Sequence, residues 1–221
     1  MKYSFAIFAA LLVISGCSTT PQKEQNKVEI SAIKNIEIFY HSEYYPVIVG
    51  EAGGLLAFAS IGEDERIVQR SRAFTKAIQD SFPNSDLNLI FASKLAEQIK
   101  ATGRNVKITK IDRPVGNINI FLTAAFLSAP KATDHAPLAL RIDTRYFAPN
   151  FTQGFASDIE VKYQLGNVNG DKELVNAWNY AGGKGETYMK FDSLLAAHKN
   201  AYEEIQMELY SLVSVVKAGM F

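Results

Sequence analysis

A chain of 221 residues with a single cysteine, Cys17, cannot form an intramolecular disulfide or a zinc site built from several thiolates. Its three histidines, His41, His135 and His198, have no partner at helical i,i+4 spacing and no carboxylate at ligand spacing, so no metal site is expected. Asp134-His135 reads as a solvated pair in a polar loop. Neither sign of charge is in excess: 23 Lys and Arg stand against 23 Asp and Glu. The chain therefore lacks the basic surplus that would hold nucleic acid or an anionic membrane surface. No Gly-x-Ser-x-Gly elbow is present, and the glycines of 50–62 and 182–185 lack the spacing of a phosphate-binding loop. These absences leave no catalytic residue and no cofactor to assign, and a non-enzyme is expected.

What is there begins at the amino terminus. Lys2 precedes a ten-residue apolar run, Phe5 to Ile14. As a helix this run spans about 15 Å, half of a bilayer core, which is too short for a transmembrane segment and right for the apolar region of a secretory signal. The ending Ile14-Ser15-Gly16-Cys17 resembles the bacterial lipobox. That resemblance implies cleavage before Cys17, diacylation of its sulfur with fatty acids such as palmitate, and acylation of the new amino group. Two or more acyl chains anchor stably where one binds only marginally. Ser18, in place of an acidic residue, implies by similarity to enteric lipoproteins the periplasmic face of the outer membrane over the inner membrane. The alternative is an ordinary signal peptide with a chance cysteine near its cleavage site.

The expected organisation is a signal peptide over 1–16, an acylated cysteine with a flexible tether over 17–32, and one domain over 33–221. The polar stretch Ser18–Ala32 reads as a disordered linker, with a reach of at most about 50 Å when extended and about 20 Å as a coil.

Within the domain, Asn35–Tyr40 alternates as a strand and Tyr44–Val49 continues extended. Leu55, Leu56 and Phe58 lie in an apolar segment flanked by glycines, either a buried loop or an apolar lip that touches lipid or a partner. Glu65–Asp80 has a helical period through Ile67, Ser71, Phe74 and Ile78. A second helix, capped by Ser85 or Asp86, runs to Thr102, with Gly103 as its terminator. Strands follow at Val106–Ile111 and Ile118–Phe126. In Leu138–Tyr146 the alternate side carries Arg141, Asp143 and Arg145, a row that is either a solvated face or a contact for an anionic polymer. Asn169-Gly170 signals a hairpin. If those two residues form the turn, Leu165 faces Leu174, Val161 faces Trp178 and Ile159 faces Tyr180. Apolar residues three and four apart from Phe191 to Val216 predict a long amphipathic helix packed across the sheet, with a partner-binding stripe as the alternative.

The runs Ile159-Glu-Val-Lys-Tyr-Gln-Leu165, Asn169-Gly170-Asp171 and Leu174-Val-Asn-Ala-Trp178, in this order of elements, resemble envelope lipoproteins with a Tol-protein-amino-terminal-like fold. These include the curli-secretion lipoprotein, penicillin-binding-protein activator lipoproteins and lipid-transport auxiliary lipoproteins. The resemblance implies an α+β fold with a mostly antiparallel sheet, helices on one face and a long C-terminal amphipathic helix. It carries over no functional residue. The expected function is a membrane-anchored, non-catalytic adaptor or assembly factor of a periplasm-facing complex, with the membrane and an envelope protein as partners and no nucleic acid. A lipid- or cell-wall-polymer-binding module is the alternative, using Leu55, Leu56 and Phe58 or the Arg141/Asp143/Arg145 row, and a hydrolase is the third.

Overall fold

A computed structural model describes residues 20–51, 65–112, 134–149 and 153–221 of the chain. Cys17 with its motif, Leu55, Leu56 and Phe58, and the expected strand over Ile118–Phe126 lie outside these residues.

The described residues form an α+β fold with five helices and a six-stranded sheet. In chain order these are α1 (Thr20–Ala32), β1 (Asn35–Tyr40), β2 (Ile48–Glu51), α2 (Glu65–Ser81), α3 (Leu87–Lys100), β3 (Asn105–Lys110) and β4 (Ala136–Ala148). β5 (Ala156–Gly166), β6 (Glu173–Gly182), α4 (Phe191–Ala196) and α5 (His198–Met220) complete the set. The sheet order is β3-β1-β4-β5-β6, with β2 also paired to β4. β4–β5 and β5–β6 are the long antiparallel ladders. β1 runs parallel to both β3 and β4, and β2 parallel to β4, over shorter stretches.

Period-two alternation fixes the inner face of the sheet. Ile36, Ile38 and Tyr40 of β1, Leu138, Leu140, Ile142 and Tyr146 of β4, and Ile159, Val161, Tyr163 and Leu165 of β5 all enter one buried cluster. The helices cover this face. α2 buries Ile67, Ser71, Phe74 and Ile78, the face its period predicts. Asp86 caps α3 by accepting from the Leu89 N–H, and Gly103, at φ 85°, turns the chain beyond its end. The predicted C-terminal helix is two helices. Ala197 leaves helical geometry between α4 and α5, and the His198 ring takes the Leu195 carbonyl at 3.0 Å.

The expected tether is not a loose linker: Thr20–Ala32 is α1. Pro21 sits in its first turn, where no intrahelical N–H is needed, and helix-forming Gln, Lys and Glu follow. Tertiary contacts hold it. Ile30 and Ile33 join the core, the Asn26 amide donates to the Leu174 carbonyl at 3.1 Å, and Lys172 pairs with Glu29 at 2.6 Å. A polar composition suits a linker and a half-exposed helix equally well, and these contacts decide between them.

One buried carboxylate ties the parallel end of the sheet together. Burial alone would raise the pKa of Glu37, but the Lys107 ammonium at 2.7 Å, the Thr109 hydroxyl at 2.6 Å and the positive field of Lys107 and His135 outweigh it. The carboxyl is held below its ordinary value of 4.5. A depressed folded-state pKa contributes stability that is fully present above the unfolded value and is lost as pH falls through the folded one. Glu37→Gln is therefore expected to be less stable than the parent by about 1–3 kcal/mol at neutral pH. That difference should close in acid, well below 4.5. Denaturant titrations of both chains at the two pH values check this.

Candidate functional site

The outer face of β4, β5 and β6 presents three rows that follow from the register. Arg141, Lys162 and Trp178 form the first, Asp143, Glu160 and Tyr180 the second, and Arg145, Asp158 and Gly182 the third. Every charge in them is matched. Arg141 pairs with Asp143 at 3.3 Å and Lys162 with Glu160 at 2.9 Å, each two residues along its own strand, while Arg145 reaches across to Asp158 at 2.9 Å. The expected row Arg141, Asp143, Arg145 is thus real and lies on one face, but its guanidinium groups are already engaged by carboxylates. It offers an anionic polymer no unmatched positive charge.

At the β6 end of this face stand the two large aromatic side chains that the expected register would have buried. Trp178 is 70% exposed and Tyr180 62%. The hairpin itself forms, but its register differs from the expected one beyond a single pair. Gly166 faces Glu173, as a turn at Asn169-Gly170 requires, and a bulge between Leu165 and Gly166 then shifts the ladder so that Leu165 faces Val175. Val161 consequently faces Asn179, and Trp178 faces Lys162. A slip of one residue moves a strand's entire apolar set to the other face.

The turn explains the shift. A two-residue type I′ turn needs positive φ at both central positions. Gly170 has φ 70°, but no residue other than glycine has a positive φ among the described residues, so Asn169 does not take part in such a turn. The chain instead makes a longer loop. The Gly170 N–H donates to the Asn167 carbonyl, the Asn167 N–H donates to the Lys172 carbonyl, and the Asn167 side chain accepts from the Asp171 and Lys172 N–H groups. With the bulge in place, Val175, Ala177, Asn179 and Ala181 face the helices. The Asn179 amide donates to the Tyr163 hydroxyl at 3.3 Å. The small residues belong there because α5 packs closely: a Cβ on Gly219 would collide with that same hydroxyl.

Tyr180 also lies beside an acid. Partial burial and the Asp158 carboxylate push its phenol up to about 12, so it stays neutral and keeps its donor proton. An indole and a phenol, both with polar groups, exposed beside a charge-neutral surface, are the side chains that supply most contact energy in protein interfaces.

The other polar clusters are structural ties. Asp134 pairs with His135 at 2.8 Å and accepts from the Asn35 amide. The Gly182–Gly185 loop holds no phosphate-type spacing, and its backbone is pinned to α5 instead: the Lys184 N–H donates to Glu208 and the Glu186 N–H to Glu204. Ser81 and His198, 117 residues apart, meet at 2.9 Å. The Leu195 carbonyl can only accept, so Nδ1 of His198 carries a proton, and in the neutral ring Nε2 is the acceptor for the Ser81 hydroxyl. A hydroxyl bonded to an oriented imidazole is also the minimal geometry of an activated nucleophile. Here the pair joins the end of α2 to the α4–α5 junction. The larger clefts lie elsewhere. One of about 720 Å³ is bounded by α1, the start of β6 and the end of α5, and one of about 370 Å³ lies beside Ser42 and Asp86. Among the described residues no three His, Cys, Asp or Glu side chains converge as a metal site, and no helix is long and apolar enough to cross a membrane.

No family model and no curated protein matches this sequence.

Proposed function

We propose that the chain is a lipoprotein anchored through Cys17 at the periplasmic face of the outer membrane, acting without catalysis as an adaptor or assembly factor of an envelope complex. The observation that carries the protein-binding part is the uncharged β6 edge, where Trp178 and Tyr180 stand exposed beside a fully ion-paired face. Such a surface gains by burying its aromatics and gives up no unmatched charge on doing so. The membrane part rests on the Ile14-Ser15-Gly16-Cys17 ending.

The helical α1 tightens the spatial consequence. It begins three positions after Cys17, is about 20 Å long and is docked on the domain through Asn26, Glu29, Ile30 and the adjoining Ile33. The domain is thus carried close to the bilayer, well inside the reach of an extended tether. Cys17→Ala is expected to release the protein from the membrane fraction, with most of the chain in the soluble fraction of lysed cells, while its unfolding midpoint stays unchanged. Fractionation with acyl-chain labelling checks this. Retention of Cys17→Ala in the membrane, or a parent chain that takes up no acyl label, sinks the anchoring.

A further inference from the structure

Among the described residues the two lateral edges of the sheet are finished differently. β3 places Lys107 and Lys110 at its edge, the device by which sheets discourage pairing with another chain. β6 has no charged residue and no proline from Leu174 to Gly182, and among the described residues it has no second neighbour. The hydrogen-bond alternation says which of its backbone groups are open. The Gly183 N–H donates to the Ser157 carbonyl at 2.9 Å, so Gly183, Ala181, Asn179 and Ala177 turn toward β5. Asn176, Trp178 and Tyr180 turn their N–H and C=O groups the other way. At the near end the Leu174 carbonyl already accepts from Asn26 of α1, which marks where this edge begins.

We infer that β6 pairs with β6 of a second copy of this chain, antiparallel, about a two-fold axis through Asn179 and perpendicular to the sheet. The outward backbone groups then bond across the axis. Trp178 of each copy lies opposite Tyr180 of the other, making two aromatic cross-strand pairs. The two aromatic pairs favour this register over its neighbours, and the order of charges along the rows agrees with it. With the axis at Trp178, the row Arg141–Lys162–Trp178 would run into its own twin, basic toward basic. With the axis at Asn179 it runs into Tyr180–Glu160–Asp143 of the second copy, so the basic half of each row meets an acidic half. The strand is complementary to itself in hydrogen bonding and aromatic pairing, and the β4–β5 rows behind it do not oppose the pairing. This pairing does not depend on the membrane anchor.

Asn179→Cys tests it in the full chain in intact cells. Twins at the axis form a non-hydrogen-bonded pair about 4.5 Å apart, within disulfide range. In Ala177→Cys the twins lie about 14 Å apart and cannot join. An oxidant is expected to convert Asn179→Cys to a covalent homodimer and to leave Ala177→Cys and the parent uncrosslinked. Asn179 bonds Tyr163, so a second measurement avoids the substitution. Trp178 is the sole tryptophan, and its emission should shift to the blue as the purified parent chain is concentrated, in step with a doubling of sedimentation mass. Trp178→Lys, which leaves no indole to report, should abolish the doubling of mass, raising the dissociation constant at least about tenfold, with its melting in dilute solution unchanged. A monomer mass at every concentration overturns the inference. So does equal crosslinking at 177 and 179, or a disulfide from Asn179→Cys to a different protein.

Discussion

Leu209→Asp is expected to cost at least about 4 kcal/mol, the sum of a lost buried leucine and an unpaired carboxylate in its place. In a domain of this size that lowers the melting temperature by roughly 8–16 °C. Leu209 is fully buried in the stripe Ala201, Tyr202, Ile205, Leu209, Leu212, Val213 and Val216 that α5 lays over the sheet and α3. Met207 on the same helix is 64% exposed, and Met207→Asp should change stability by no more than about 0.5 kcal/mol. The contrast separates the two uses the stripe could have. A helix whose apolar face was kept for a partner would tolerate both substitutions in the isolated chain, and thermal melts of the pair decide the matter.

Phe74→Ala is expected to cost about 3–5 kcal/mol. Phe74 is the contact between α2 and the middle of the sheet. Its ring meets Tyr146 edge-on at 5.9 Å, and Tyr146 in turn meets Tyr188 at 5.8 Å. The Tyr146 hydroxyl donates toward the Ala201 carbonyl and Glu204, which locks α5 to the same point, and burial pushes its phenol far above the usual range so that the donor proton stays. Emptying the Phe74 site removes the wall against which this aromatic row is packed, and neighbours fixed by hydrogen bonds collapse into a void only in part. Chemical denaturation should show a lower midpoint with an unchanged slope. A cost below about 1 kcal/mol would mean that α2 is not seated on β4 as described.

The elements with one wet face were legible in the sequence. β4 and β5 alternate so cleanly that their inner residues, from Leu138 to Tyr146 and from Ile159 to Leu165, are the ones the structure buries. The caps at Asp86 and Gly103 and the apolar period of α2 and α5 were readable for the same reason. Each is a local rule, set by geometry within a few residues. The open edge with Trp178 and Tyr180 was not legible. β6 has apolar residues at both parities, Leu174, Trp178 and Tyr180 on one and Val175, Ala177 and Ala181 on the other, so alternation favours neither face. Two signals pointed the right way: the small side chains of Ala177 and Ala181, suited to a close helix, and Asn167, able to cap a loop longer than two residues.

By itself the sequence determined the α+β composition, the inner faces of the central strands, the balance of charge and the motif that ends in Cys17. Those follow from local periodicity and residue chemistry. Tertiary structure alone decided three things: that the polar segment after Cys17 folds as α1, that Arg145 is neutralised by Asp158 of the next strand, and that Trp178 points outward. Each depends on a neighbour far along the chain. The reason is common to all three. Docking of Ile30 and Asn26, pairing of Arg145 with Asp158, and the fit of α5 over Ala177 are energies between distant segments, which no window of adjacent residues contains.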